Sequence, residues 1–187
     1  RYMDDNGMLD LRTLNEELIQ RDLDKHVEKQ LVTSLGDLPR TRAFFGRETE
    51  LDNICALLDA RSSCLLVPGI AGIGKTALAG KVIEQYTHRR NLLYHRCQDW
   101  EGSRAFLEAC AEWLSTIGDD DLSDYIQATA VPQSSIAVNL IVGALEEIPS
   151  LIVIDDLHKV NDDVLFAIIR GLSQRMGDTQ ESGLVMF

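Results

Sequence analysis

The apolar positions of this chain fall into blocks whose spacing changes along its length. Between residues 13 and 35, Leu14, Leu18, Leu23, Val27 and Leu31 recur at near-helical intervals. Thr13 and Glu16 make a capping box before them and Gly36 supplies a stop, so a helix is expected over 13–35. Upstream, Asp5-Asn6-Gly7 lies among Tyr2, Met3, Met8, Leu9 and Leu11. That stretch suits either a tight hairpin, such as the wing closing an upstream module, or a frayed end. From residue 44 the pattern becomes regular. A helix carrying Leu51, Ile54, Cys55 and Leu58 is followed by the strand-length run 63–67, which stops at Pro68. A Gly-rich turn leads into a helix through Leu78, Val82 and Ile83, then a strand over 92–97. Helices are expected over 103–117, closed by Gly118, and over 135–148, with an acidic loop or helix start at Asp119-Asp120-Asp121 between them. A strand over 151–154, a helix through Val164, Leu165, Ile168, Ile169 and Leu172, and a strand over 183–187 complete the series. Asn161, Asp162 and Asp163 are well placed at the positive end of that last helix.

The strands are short and apolar without polar alternation, as expected when both faces are covered. Strands that alternate with helices then specify an α/β fold, a parallel sheet with helices on both faces. The division expected is an N-terminal hairpin and helical segment over 1–38, followed by one α/β domain over 39–187.

Composition narrows the function. Of 187 residues, 45% are hydrophobic and 26% charged, which is ordinary for a globular domain. No apolar run approaches the ~20 residues of a membrane span, so no membrane partner is expected. With 18 basic against 30 acidic residues the net charge is −12, which argues against direct nucleic-acid binding, since that depends on neutralising phosphates. Cys55, Cys64, Cys97 and Cys110 have no C-x-x-C spacing and sit in apolar segments, as buried thiols of a reducing cytoplasm do. The polar start Met3-Asp4-Asp5-Asn6-Gly7 is unlike a signal peptide. Arg1 at one end and a strand at the other read as a piece of a longer protein.

The chemistry concentrates in two places. Gly69-Ile70-Ala71-Gly72-Ile73-Gly74-Lys75-Thr76 is G-x-x-x-x-G-K-[ST], the P-loop or Walker A pattern, between an apolar strand and an amphipathic helix. Its glycines admit a polyphosphate where a Cβ would collide, and its successive N–H groups form an anion nest at a helix N-terminus, up to Ala77. Lys75 is expected to reach the β- and γ-phosphates, and the Thr76 hydroxyl to bind Mg²⁺. The second place is Leu151-Ile152-Val153-Ile154-Asp155-Asp156, an apolar strand ending in two carboxylates, as in a Walker B element. Ligand chemistry gathers at the carboxyl ends of such strands. Asp155 is the expected Mg²⁺ anchor, through water, and Asp156 the group that orients or deprotonates the attacking water. The strand over 92–97 lies between the two motifs. This resembles the additional-strand class of P-loop NTPases, in which the strand after Walker B, here 183–187, inserts between the Walker A and Walker B strands. No Asn-Lys-x-Asp guanine motif is present, which favours ATP over GTP.

Three features together resemble the STAND group of signal-transduction ATPases, close to its NB-ARC and NACHT branches. Phe45-Gly46-Arg47-Glu48-Thr49-Glu50-Leu51 is similar to the "GRExEL" segment, which implies adenine contacts at Phe45, Gly46 and Arg47. Asp155-Asp156-Leu157-His158 is similar to the paired-aspartate Walker B. Leu93-Tyr94-His95-Arg96 through Trp100 resembles the aromatic-containing second strand of archaeal and bacterial members. The resemblance covers about residues 44–187 and implies a slow, Mg-dependent ATPase acting as a regulatory switch. It also implies an arginine γ-phosphate sensor just after the last strand, a helical lid and further regulatory domains, all beyond Phe187.

"GRExE" also occurs in origin-recognition-type AAA+ proteins, so an AAA+ ATPase acting on DNA or protein, with nucleotide-dependent oligomers, stays open. So does an ADP-binding scaffold without turnover. The remaining residues have plainer expectations. Arg89, Arg90 and Arg96 read as an exposed face, Trp100 as a packing residue, and His158 as capping or packing at its turn.

Overall fold

The computed structural model describes residues 31–39, 44–60, 64–146, 148–176 and 182–187. The chain divides into two compact units, Arg1–Gln30 and Leu31–Phe187, and the described residues belong to the second. The Asn6-Gly7 turn and the helix expected from residue 13 to 30 lie outside them.

Among the described residues five strands form one sheet, β1 (Thr33–Ser34), β2 (Cys64–Leu66), β3 (Asn91–Arg96), β4 (Ser150–Asp155) and β5 (Ser182–Met186). Their order is β1-β3-β4-β5-β2 and every pairing is parallel. The last strand in sequence therefore lies between the strand before the Gly-rich turn and the strand before the acidic pair, as the additional-strand reading requires. Six helices accompany the sheet among the described residues: α1 (Glu48–Asp59), α2 (Lys75–Tyr86), α3 (Ser103–Ile117), α4 (Asp121–Ala128), α5 (Ser134–Ala144) and α6 (Asp163–Arg175).

Residues of β4 show why the sheet is covered twice. All six are buried. Ile152 and Ile154 pack in one core layer with Phe106, Trp113 and Ile168, while Leu151 and Val153 pack in the other with Leu78, Val82 and Tyr86. A period of two with apolar residues at both phases leaves no face for water. Helices α3 to α6 cover the first face, and α1 and α2 the second.

Local pattern failed at two points. Residues 33–34 do not continue a helix; they form the edge strand β1, with Thr33 opposite Leu92 and Ser34 opposite Leu93. Asn91 fixes this register. Its Oδ1 accepts the Val32 N–H at 2.8 Å while its Nδ2 donates to the Pro149 carbonyl at 3.1 Å, and the Leu92 N–H donates to the Val32 carbonyl at 2.8 Å. Pairing with a distant strand here overrides helical spacing, helped by β-branched Val32 and Thr33. Gly36, at φ 42°, turns the chain after that strand instead of closing a helix. The second point is α5, which ends at Ala144 and not at 148; Pro149 disfavours helical geometry at Ile148 itself. Of the two readings of the acidic run, the helix start is the one observed: it opens α4, with Asp121 and Asp124 in the first turn.

The start of α6 matches its acidic signature. Asp162 is the N-cap, and its Oδ1 accepts the N–H groups of Val164 at 2.8 Å and Leu165 at 2.9 Å. Its Oδ2 accepts the Ser103 N–H at 2.7 Å, so one carboxylate serves the first turns of α3 and α6. Among the described residues, no helix is long and apolar enough to cross a membrane.

Candidate functional site

The carboxyl ends of the parallel strands carry the site. After β2 the chain runs through Gly69–Gly74 into α2. Gly72 and Gly74 stand at φ 80° and 92°, conformations that a Cβ would strain. Gly74 is the N-cap of α2 and has no side chain to offer, so the helix starts uncapped. The amide of Leu78 bonds back to the Gly74 carbonyl at 3.0 Å, while those of Lys75, Thr76 and Ala77 precede the first helical bond and face the helix end. Lys75 Nζ folds over the turn, donating to the carbonyls of Gly69 at 2.8 Å and Ile70 at 3.3 Å.

Asp155 and Asp156 close β4 but live in different surroundings. Asp155 has no exposed surface. Its Oδ2 accepts the Tyr94 hydroxyl at 3.0 Å and its Oδ1 accepts the Asp156 N–H at 2.8 Å. Burial and the adjoining carboxylate push the Tyr94 phenol well above its usual range, so it stays a proton donor. Asp156 adopts φ 57°, the one non-glycine residue with positive φ among those described. Its Oδ2 accepts Arg96 Nε at 2.9 Å and Lys159 Nζ at 2.7 Å. Burial alone would raise the Asp156 carboxyl, but the hydrogen bonds and charges of Lys159 and Arg96 outweigh it and hold the pKa below the usual carboxylate range.

Lys75, Thr76, Gly74 and Asp156 line one cavity of about 340 Å³, together with Arg96 and Lys159. The turn and the acidic strand end therefore meet, and Ala71 and Gly72 border the same space. A second cavity, about 410 Å³, lies beside it and is bordered by Gly69, Val160, Phe166 and Phe187, with Ala71, Lys75 and His158 shared between the two. Asp155 lies behind Asp156 and borders neither cavity. Ile70 and Ile73 project outward, 77% and 48% exposed.

The segment at 45–47 is joined to the turn through one side chain. Arg47 Nη1 donates to the Ile73 carbonyl at 3.1 Å, and its Nε pairs with Glu50 at 3.3 Å. Phe45 is 85% exposed, and neither it nor Gly46 borders either cavity. Trp100 does not pack as expected; it is 81% exposed. The three arginines do not form one solvated face. Arg89 and Arg90 lie over the Tyr86 ring at 5.2 and 5.0 Å, whereas Arg96 lines the cavity. Arg96 and Lys159 are the site residues that sequence reasoning missed. The available signal for Arg96 was its place at the end of a strand beside the acidic one, where parallel sheets gather their ligands.

A divalent ion fits the chemistry of the donors. Among the described residues there is no cluster of three His, Cys, Asp or Glu side chains to cage one. Mg²⁺ needs no such cage, because it keeps several waters and is usually held by one or two carboxylates plus substrate phosphates. The Thr76 hydroxyl and the Asp156 carboxylate, which line one cavity, suit that mode, whereas Asp155, with no exposed surface, could act only through an intervening group.

Sheet order, uncapped Gly-rich turn and acidic strand end define a P-loop nucleoside-triphosphatase domain of the additional-strand class. A family model described as the AAA ATPase domain matches residues 43–186, and the chain belongs to that family. It is a nucleotide-binding ATPase domain. No curated protein matches the chain.

Proposed function

We propose that this domain is the ATP-binding, slowly hydrolysing switch of a STAND-type signalling or transcription-regulating protein of the cytoplasm. The observation that carries this reading is the single cavity in which Lys75 and Thr76 meet Asp156. The amides from Ile70 to Ala77 hold the phosphates, and Lys75 leaves its loop carbonyls to neutralise the β- and γ-phosphates. Thr76, with Asp155 acting through water, would hold Mg²⁺, which when bound offsets charge on the β- and γ-oxygens. Phe45, Gly46 and Arg47 contact the adenine; the bond from Arg47 to Ile73 supports their nearness to the phosphate turn. Asp156 orients the attacking water. A bond forms from that water to the γ-phosphorus as the bond to the bridging oxygen breaks, ADP leaves with the electron pair, and the water proton passes by way of Asp156 to the released phosphate. Two cations on Asp156 make it a weak base, which supports slow turnover. ATP and ADP then bias regulatory domains elsewhere in the same protein, because a γ-phosphate orders neighbouring segments and its loss releases them.

The test is to titrate the purified chain with ADP and ATP at millimolar Mg²⁺ and to follow phosphate release. Wild type should bind both and turn over slowly. Lys75→Ala should weaken triphosphate binding about 10- to 100-fold, the range of one charge-assisted contact. No binding of adenine nucleotide by wild type would end this reading.

The family match also supports a second reading, an AAA+ machine that acts on DNA or protein as a nucleotide-dependent oligomer. The two differ in whether hydrolysis needs a neighbouring copy.

A further inference from the structure

The net charge is −12, yet the 340 Å³ cavity is bordered by Lys75, Arg96 and Lys159 against one carboxylate, Asp156. Both Arg96 and Lys159 donate to the same atom, Oδ2 of Asp156. Asp155 also acts on Arg96 but is buried and borders no cavity, so the surface of the space beside Lys75 carries three cations and one carboxylate. The two cations on Asp156 are held differently. Lys159 comes from the same short turn as Asp156, three residues on. Arg96 comes from the neighbouring strand, where the β3–β4 register sets it opposite Asp155. It reaches Asp156 through Nε, and its two terminal nitrogens donate to no partner among the described residues. Its side chain is about one-third exposed, on the cavity side of a rigid strand end. A guanidinium presents its donors as a planar fork that matches phosphate oxygens in pairs.

We propose that Arg96 is a phosphate contact acting in cis: when a nucleoside triphosphate enters, its guanidinium moves from Asp156 to the terminal phosphate. Lys159 stays on Asp156 and keeps the carboxylate compensated. The exchange couples arrival of the γ-phosphate to partial release of Asp156, the group that orients the water. It leaves a diphosphate unrecognised by Arg96, so the residue discriminates ATP from ADP. This rests on the nucleotide reading of the cavity, and it concerns a different arginine from the one implied beyond Phe187.

The experiment compares wild type, Arg96→Ala, Arg96→Lys and Lys159→Ala in the full chain. Mg²⁺ with ADP, and Mg²⁺ with the non-hydrolysable adenylyl imidodiphosphate, are titrated onto each, and single-turnover phosphate release is measured beside them. Arg96→Ala should weaken the triphosphate analogue about 10- to 100-fold while ADP changes less than about threefold. Its turnover should fall by about 10³, as when an arginine is lost from a phosphoryl-transfer site. Arg96→Lys should lie between, keeping the charge without the fork. Lys159→Ala should leave the ratio of the two affinities unchanged. If Arg96→Ala keeps the wild-type ratio, or hydrolyses faster than wild type, Arg96 only restrains Asp156 and the proposal is wrong. Should Arg96→Ala fail to fold by circular dichroism, the ratio for Arg96→Lys decides in the same way. A wild-type chain that binds neither nucleotide refutes the site itself, which is a separate failure.

Discussion

Asp156 holds a left-handed backbone, φ 57°, while its side chain is shared by Arg96 and Lys159. Asn and Asp tolerate that region better than other non-glycine residues, so Asn is the least disruptive replacement. Asp156→Asn should keep the fold and bind ADP within a few-fold of wild type, but it cannot accept a proton from water. Hydrolysis should fall by about 10² to 10⁴, the usual range for a lost general base. Phosphate release under single-turnover conditions measures it, and an unchanged rate would remove Asp156 from the chemistry. Asp155 poses the opposite problem. It is buried, and Tyr94 is its one side-chain donor among the described residues. Tyr94→Phe should leave Oδ2 without that partner and cost about 1–3 kcal/mol. A lower urea midpoint with an unchanged slope would report that loss as stability and not as altered compactness.

Two helices depend on one carboxylate at the level of elements. Asp162 accepts from Ser103 at the start of α3 and from Val164 and Leu165 at the start of α6. A Cβ on Gly102 would stand 2.7 Å from Asp162 Oδ2, which is why that approach needs glycine. Asp162→Ala removes both caps, and since one cap is worth about 0.5–2 kcal/mol the loss should be near the top of that range, about 2 kcal/mol. Burial would raise this carboxyl, but the backbone N–H groups of Ser103, Leu165 and Val164 outweigh it and hold its pKa below the ordinary value. Its stabilisation is therefore complete above the unfolded pKa of about 3.9 and disappears as pH falls through the lower folded value. Denaturant curves should show the gap between wild type and Asp162→Ala constant from pH 7 to about 5 and closing in stronger acid. A gap that persists at the lowest pH where the chain still folds would mean that packing, not the charged cap, is lost. The same elements show what could be read in advance. The β4 run, the turn at 69–76 and the acidic start of α6 are each specified by neighbours in sequence, and each was legible. Strand β1 was not, because Asn91, 59 residues from Val32, sets its register. Arg96 was hidden for the same reason: its meaning comes from standing opposite Asp155, and no local spacing encodes that pairing.

For the whole molecule, the question is whether the site is complete in one chain. The implied ring-forming alternative needs an arginine from a neighbour to stabilise the transferring phosphate, which in phosphoryl transfer is worth about 10³ to 10⁵ in rate. Arg96 would supply that charge from within. The acidic balance of the whole chain, net −12, also opposes close approach of identical copies through long-range repulsion at low salt. A chain that carries its own arginine should hydrolyse ATP at the same specific rate across a wide range of protein concentration. It should also scatter light as a monomer with either nucleotide. A ring enzyme behaves otherwise: its specific activity rises with concentration, and ATP, but not ADP, drives hexamers. The variant Arg96→Ala links the two measurements. In the self-contained chain its loss of turnover persists at every concentration, because no neighbour can replace the missing guanidinium. Recovery of its activity at high concentration, together with growth in particle mass, would instead show that a second copy provides the charge, and would assign this protein to the assembling AAA+ machines over the single-chain switches.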